Sequence, residues 1–514
     1  MKTKIFLRVL SMVLCLLTLV AVFAACGDTN NDDSTTTTKK PTGPSVGPGE
    51  ETELPTDENG YVLDLIPEEL DYGGTQVKML IWSAGKDFIF PNEVEGESIK
   101  NDIYLSNKEV EAELGLKFDV AFKSSHMSSG DDGQELYNAV LNRDDDYEAV
   151  CCYSLYPAML AMEGVCHDLN ATDFPMSEMP WYPADAWEWE IRDRLFFIAN
   201  NSSIRNIIAN WVVYVNNTML SNKGIANIEE TVLNGEWTLA KMKEYSRMWL
   251  SDAQSNTDDI ADASNVYGLG IVHRTSMDAF YYAAGFKSFE RDENGDPTYT
   301  YYNKTNLELV SNFCDVIVDL AKSPDVYVGP YNNGSMAGLK NRNTAMVVGA
   351  LDQYSLIQNN AEYTIIVMPK LDEDPNVPYR TVQNNAFDVW CITSTATDPA
   401  MGGVIIEALS SRDYRTIAPK WFDNDFKYRY SSSDNGVKIF DLIRSSFVAD
   451  FGRMYMTTVG SPFGALRNVM HAGGDKPTLE NNFATEIGGS KVTQLTKLEQ
   501  LKTLVETLFP DEEA

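Results

Sequence analysis

Seven Cys (15, 26, 151, 152, 166, 314 and 391) and four His (126, 167, 273 and 471) are the residues of this 514-residue chain suited to metal ligation or to nucleophilic chemistry. Their spacing argues against both. There is no CxxC pair and no HExxH, and the adjacent Cys151 and Cys152 suit a single zinc poorly. The thiols read as buried apolar side chains rather than as a disulfide framework. Glycoside hydrolysis needs two opposed carboxylates. The 75 Asp and Glu can always supply a pair, yet none stands in a recognisable motif. The GxSxG match Gly43-Pro-Ser-Val-Gly47 lies in a Pro- and Gly-rich stretch rather than between a strand and a helix and so forms no nucleophile elbow, and no GxxxxGK[ST] loop occurs. Asp292-Glu-Asn-Gly-Asp296 has the look of a calcium loop, but no Glu follows at the twelfth position. It reads as a hairpin turn, and neither a metal nor a cofactor is expected.

Charge narrows the partners. The formal net charge is −34, so a nucleic-acid backbone and polybasic docking on anionic lipid are both excluded. Hydrophobic residues are 44% and charged residues 23%, so the bulk of the chain can bury a core, and its length suggests two to three domains.

Lys2, Lys4 and Arg8 precede a run from Val9 to Ala25 that carries no charge. This pattern is that of a signal peptide, residues 1–25. Its end, Ala24-Ala25-Cys26-Gly27, resembles a bacterial lipobox, with Phe23 where Leu or Val is usual. Cys26 is then the lipidated first residue of the mature protein. Residues 26–60 hold Thr35 to Thr38 and Pro41, Pro44, Pro48 and Pro55, with only Val46 and Leu54 aliphatic. Such a stretch cannot offset its ordering entropy and is expected to be a disordered tether about 30 Å long on average. The body is therefore expected at the outer face of the cell membrane, held by lipid.

The elements of the body alternate. Val77 to Trp82 reads as a strand closed by Ser83-Ala-Gly85, and Ile99, Ile103, Val110 and Leu114 recur at helical spacing. Lys117 to Phe122 alternates like a strand, and Glu148 to Tyr153 is an apolar one. Leu195 to Ala199 and Trp211 to Val215 follow as short strands. Gly235-Glu-Trp-Thr238 opens a helix, and Thr305-Asn-Leu-Glu308 reads as a capping box. Thr344 to Val348, Tyr363 to Met368 and Asp388 to Ile392 are buried strands, and the last hundred residues read as mainly helical. Strands alternating with helices predict α/β architecture with parallel βαβ units.

The order of these pieces resembles an extracellular solute-binding protein of a carbohydrate ABC importer, in the group that includes maltose-binding protein. The resemblance covers roughly residues 74–510. It rests on β-strand Val77–Trp82 after the tether and on Asp146-Tyr-Glu-Ala-Val150 followed by Met162-Glu-Gly-Val-Cys-His-Asp-Leu169. It rests also on Asn234-Gly-Glu-Trp-Thr-Leu239 and on Thr344-Ala-Met-Val-Val-Gly349 with Tyr363 to Lys370. Pro180-Trp-Tyr182 and Asp450-Phe-Gly452 resemble Clostridia-type lipoprotein members. The resemblance implies a two-lobed, Venus-flytrap fold with a helical C-terminal region. The first lobe would take residues 61–208 and 350–409, the second 209–349 and 410–514. It implies capture of a carbohydrate, an oligosaccharide by preference, for the permease subunits of an ABC importer, with no catalysis.

Sugar binding needs planar polar groups for hydroxyls and aromatic faces for the C–H side of the ring. The chain has nine Trp and 25 Tyr. The resemblance places candidates at strand ends, where parallel sheets open their clefts. They are Trp82 with Lys86, Tyr153 and Ser154 with Tyr156, Asn210 with Trp211, His273 with Arg274, and Asp352 with Tyr354. Lys86 and Arg274 gain weight if the sugar is acidic. Trp237 and Trp249 fall on a helical face and read as core. Two other classes stay open, a secreted carbohydrate-active enzyme and a surface sugar sensor or adhesion module without its own importer. Replacing Cys26 by Ala is expected to abolish palmitate labelling and to release the protein to the medium or leave it unprocessed. Membrane retention equal to the wild type would overturn the anchor.

Overall fold

The computed structural model describes residues 54–467 and 498–507, apart from 95, 97, 125–134, 173, 175, 177, 257–259, 261, 263, 273–275, 330–333, 358–361, 432, 461–463, 465, 501 and 504. The signal segment, Cys26 and the tether as far as residue 53 lie outside the described residues. The last stretch of the expected tether is structured. Thr56 bridges Val62, and the Asp57 carboxylate accepts from the Asn59 and Tyr61 amides, both at 2.9 Å. Tyr61 then packs edge-on against Tyr414, 5.6 Å between ring centres. An Asx turn backed by an aromatic contact orders what composition alone leaves loose.

Two sheets form the body. The first runs β11-β3-β1-β2, with β1 Thr75–Trp82, β2 Leu116–Lys123, β3 Ala149–Tyr153 and β11 Asp388–Cys391. β1 pairs parallel with β2 and β3, and β11 returns antiparallel to β3. The second runs β10-β4-β9-β5-β8, with β4 Trp211–Asn216, β5 Tyr267–Val272, β8 Val326–Gly329, β9 Thr344–Ala350 and β10 Tyr363–Val367. β5 is parallel to β8 and β9, whereas β4 runs antiparallel to β9 and β10. Strands β3, β4, β5, β9 and β10 are buried throughout, which is why they read as continuous apolar runs rather than alternations. Helices cover the sheets, giving a two-lobed α/β body.

Local signals set the helix starts. Ser98 accepts from the Asn101 amide to begin Ile99–Glu113, and Thr238 accepts from the Lys241 amide to begin Leu239–Ser246. Asp398 caps Pro399–Arg412, and the buried Glu148 carboxylate just before β3 accepts from the Asp398 amide at 2.9 Å. That bond ties the helix to the sheet it covers.

Several expectations change. Residues 195–199 form no strand; Ile198 makes a single bridge to Trp390. Helix Lys304–Ala321 begins before Thr305, capped by Asn303, whose side chain accepts from the Thr305 amide. An Asn two residues earlier competes successfully with the Thr. Residues 363–367, expected with the first lobe, pair with β4 in the five-stranded sheet. Others hold: Asp292–Asp296 is the expected turn, between β6 Phe289–Arg291 and β7 Pro297–Tyr299. Cys151, Cys152, Cys166, Cys314 and Cys391 are buried and free, and Trp237 is buried with its indole N–H on the Val367 carbonyl at 3.0 Å.

Two consequences are measurable. A Cβ on Gly268 in β5 would lie 2.1 Å from the Ser246 carbonyl oxygen, so Gly268→Ala is expected to destabilise by about 1–3 kcal/mol in denaturant unfolding. Glu407 is fully buried in helix Pro399–Arg412 and accepts from Trp181 Nε1 at 3.1 Å and the Tyr182 hydroxyl at 2.9 Å. Burial pushes its carboxyl up to about 7, partly opposed by those two hydrogen bonds. The native state keeps a proton that the unfolded chain releases, so this group's contribution to stability falls as pH rises from about 4.5 to about 7. Glu407→Gln is expected to flatten that fall, read as the difference in denaturation midpoint between about pH 5 and about pH 8.

Candidate functional site

Three passages of chain run between the two sheets. The first leaves helix Ile204–Ile208 and enters β4 at Trp211. The second returns from β10 to β11 through residues 381–388. They lie side by side, with Asn210 bridged to Gln383, the Trp211 amide on the Val382 carbonyl at 3.2 Å and the Asn384 amide on the Ala209 carbonyl at 2.8 Å. The third follows helix Asp434–Ser445, with the Thr381 amide donating to the Ser446 carbonyl at 2.7 Å and the Val448 amide to the Thr381 carbonyl at 3.0 Å. Asn206 locks the first passage to β11. Its Nδ2 donates to the Asp388 carbonyl at 2.9 Å and its Oδ1 accepts from the Asp388 amide at 2.7 Å.

Around this junction sits a cluster of buried polar groups. Asp388 accepts from Trp82 Nε1 at 2.6 Å and stands 3.8 Å from Arg205 Nε. Burial pushes its carboxyl up to about 6, against the pull of Arg205 and of the Trp82 bond. The Arg205 guanidinium lies 4.8 Å from the Trp82 ring centre and 4.7 Å from that of Phe88, and donates to the Ala84 carbonyl at 2.6 Å. Buried atoms here lack any hydrogen-bond partner: Arg205 Nε, Trp211 Nε1, Asn210 Oδ1, Gln383 Oε1, Asn385 Oδ1 and Asp388 Oδ2. Donors and acceptors are mixed. Buried polar groups are ordinarily satisfied, so such a group of orphans marks a place built for something else to hydrogen-bond.

The expected residues fall into three sets. Trp82, Tyr153, Ser154, Asn210, Trp211 and Asp352 are brought together. Trp82 and Tyr153 are 5.4 Å apart between ring centres, Ser154 donates to the Asn385 carbonyl at 2.7 Å, and the Leu351 amide beside Asp352 donates to the Asn210 carbonyl at 2.8 Å. Burial raises the Asp352 carboxyl, partly offset by a bond from Gln353 Nε2 at 2.8 Å. The Trp82 ring is not a bare platform, being 1% exposed beneath Arg205 and Tyr153. Tyr156 turns into the core against Tyr137, and Lys86 stays exposed with its ammonium 5.6 Å from the Phe122 ring centre. Tyr354 stands beside Asp352 but packs edge-on against Phe426. His273 and Arg274 lie outside the described residues.

Arg205, Gln383, Asn385 and Asp388 were not among the expected residues. The run Gln383-Asn-Asn385, set between the apolar β10 and β11, is the sequence signal that could have found two of them. Nothing around Arg205 sets it apart from any surface Arg.

No protein-family model matches the chain, and no curated protein sequence does. Solved structures do. The galacto-N-biose/lacto-N-biose I-binding protein of an ABC transporter from Bifidobacterium longum, in complex with lacto-N-biose, superposes with TM-score 0.51 at 10% identity, over 84% of this chain and 98% of that one. The GacH receptor of Streptomyces glaucescens gives 0.49 at 11%, over 85% and 100%. An ABC transporter solute-binding protein from Thermotoga lettingae bound to α-D-tagatose gives 0.46 at 12%, over 83% and 100%. The first likeness shows the fold, two α/β lobes joined by crossing segments.

The junction carboxylate has a readable signature. Trp82 donates to Asp388, so the tryptophan emission of the folded protein is expected to shift near pH 6, and Asp388→Asn is expected to remove that step. An identical titration in the variant would show that Asp388 does not ionise there.

Proposed function

We propose that the protein captures a carbohydrate outside the cell and hands it to the permease subunits of an ABC-type importer. One observation carries this reading. The unpartnered buried atoms at the lobe junction include two donors, Arg205 Nε and Trp211 Nε1, and four acceptors, on Asn210, Gln383, Asn385 and Asp388. An anion would satisfy only the donors and a cation only the acceptors. A hydroxyl group both donates and accepts, so a polyhydroxylated ring meets both needs. Trp82, Tyr153 and Trp211 pack buried beside those atoms. The Bifidobacterium longum protein that shares the fold binds a disaccharide, which supports the reading.

In this reading Trp82, Tyr153, Ser154, Asn210, Trp211, Asp352 and Tyr354 line the cleft. Tyr156 and Lys86 stand behind or around it. The lobes close on the sugar by bending at the three passages, a hinge motion. Cys26 carries the lipid that keeps the body at the membrane. The protein binds without turning its ligand over. Among the described residues no helix is long and apolar enough to cross a membrane.

Calorimetric titration with neutral and acidic saccharides tests the reading. Trp211→Phe keeps the ring and removes the orphan N–H, and is expected to weaken binding by about 1 kcal/mol. Tyr153→Ala is expected to cost about 1–3 kcal/mol of affinity if its ring stacks on the ligand. Trp237→Phe should lower stability and leave affinity intact, because that indole is spent on the Val367 carbonyl. If the wild type binds no saccharide, the carbohydrate reading falls.

A further inference from the structure

The open hydrogen-bonding atoms at the lobe junction are unequal in kind. Acceptors lead, with Asn210 Oδ1, Gln383 Oε1, Asn385 Oδ1 and Asp388 Oδ2 against the donors Arg205 Nε and Trp211 Nε1. Asn384 Nδ2 is turned to the Asp352 carboxylate. Two of the acceptors are fixed in kind by their other ends. Gln383 Nε2 donates to the Asn206 carbonyl at 2.9 Å, and Asn210 Nδ2 to the Ile207 carbonyl at 3.2 Å. Each buried amide must then present its oxygen at the open end.

Charge leans the same way. Trp82 Nε1 and Arg205 Nε both face Asp388 Oδ1, at 2.6 Å and 3.8 Å, which leaves Oδ2 with neither. The rest of the Arg205 fork is spent on backbone, with Nη1 on the Ala386 carbonyl at 3.4 Å and Nη2 on that of Ala84 at 2.6 Å. Arg205 is also the cation that acts on Asp352. A third carboxylate, Asp413, accepts from Asn200 Nδ2 at 2.9 Å, and buried Asn206 ties the Asn200 carbonyl to that of Asp388. Burial and the charge of Asp388 push Asp413 up to about 8, against the Asn200 bond. The nearby cations Arg453 and Arg467 are paired with Asp278, and Arg444 with Asp423. Three carboxylates thus share one guanidinium. Arg205, Asp352, Asn385 and Asp413 are half-buried beside buried Asn206, Gln383 and Asp388, so the group is closed behind and open in front.

We propose that the ligand is an amino sugar, whose ammonium group is set against Asp388 Oδ2 and the amide oxygens of Gln383 and Asn385, so that the protein prefers it to the neutral sugar and to the N-acetylated one. The proposal rests on the carbohydrate reading above and names the class of sugar. An ammonium carries three N–H donors and no acceptor, which matches the excess of acceptors. The sugar's hydroxyls serve Arg205 Nε and Trp211 Nε1. An inorganic cation would leave those two donors unmet. Hydrogen bonds to a charged group are the strong ones, and a buried carboxylate with a loosely held counter-ion gains most from them.

The experiment is calorimetric titration near neutral pH with matched sets: glucosamine, N-acetylglucosamine and glucose; galactosamine, N-acetylgalactosamine and galactose; and chitobiose in amino and N-acetylated forms with cellobiose. The wild type is expected to bind one amino form about tenfold or more tighter than both of its counterparts. Asp388→Asn keeps the side chain's size and the acceptor for Trp82, and should bring that ratio close to one. Thermal unfolding reports whether the variant is folded. The wild type supplies a second route, because titration above the pKa of the sugar's own amine should also abolish the ratio. Equal binding of amino and neutral forms by the wild type overturns the amino-sugar assignment and leaves the carbohydrate reading standing. So does an N-acetylated form that binds as tightly as the amino form, or an unchanged ratio in folded Asp388→Asn. A wild type that binds none of these saccharides overturns both.

Discussion

Thr381 is where the three passages of the chain meet. Its amide donates to the Ser446 carbonyl, its carbonyl accepts from the Val448 amide, and its hydroxyl donates to the Trp211 carbonyl at 3.0 Å. It is 1% exposed, so each of these bonds is shielded from water. A lost partner there would leave a buried backbone group unsatisfied, at about 1–3 kcal/mol. The register of the junction follows from this knot. Because the Trp211 amide meets the Val382 carbonyl, Gln383 sits opposite Asn210, and the orphan amides come together.

Charge reinforces the same place. Asp278, at 0% exposure on helix Ser276–Ala283, is paired with Arg453 and with Arg467, whose Nε lies 2.6 Å from its Oδ1. Arg453 also donates to the Gln383 carbonyl at 2.9 Å. Removing one member of such a cluster leaves an uncompensated buried charge, which costs far more than the assembled cluster contributes. Its physical value is directional. It fixes the carbonyl of Gln383 and so constrains where the neighbouring side chain can point. Together with the Asn206–Asp388 pair, it holds the second passage from both sides.

How much of this was legible varies by residue. The runs that became β1, β3, β4, β9 and β10 are unmistakable as apolar segments. Which sheet β10 joins was not, because a strand buried on both faces carries no sign of direction or neighbour. Thr238 announced its helix, whereas Thr305 lost its cap to Asn303, a choice settled by geometry two residues away. Trp82, Asn210 and Trp211 were expected at strand ends, and the fold puts them there. Arg205 and Asp388 were not, because their meaning lies in contacts with residues more than a hundred positions away.

The turn at residues 55–62 also decides how a pull is transmitted. Tyr61 is lodged on Tyr414, and Asp64 accepts from Ser411 Oγ at 2.7 Å and from Arg415 Nη2 at 2.8 Å. Those partners lie at the end of helix Pro399–Arg412 and just beyond it, and that helix is fastened to the four-stranded sheet through Glu148. A force applied to the chain at residue 54 therefore enters through the end of that helix and reaches the four-stranded sheet before any strand of the five-stranded one.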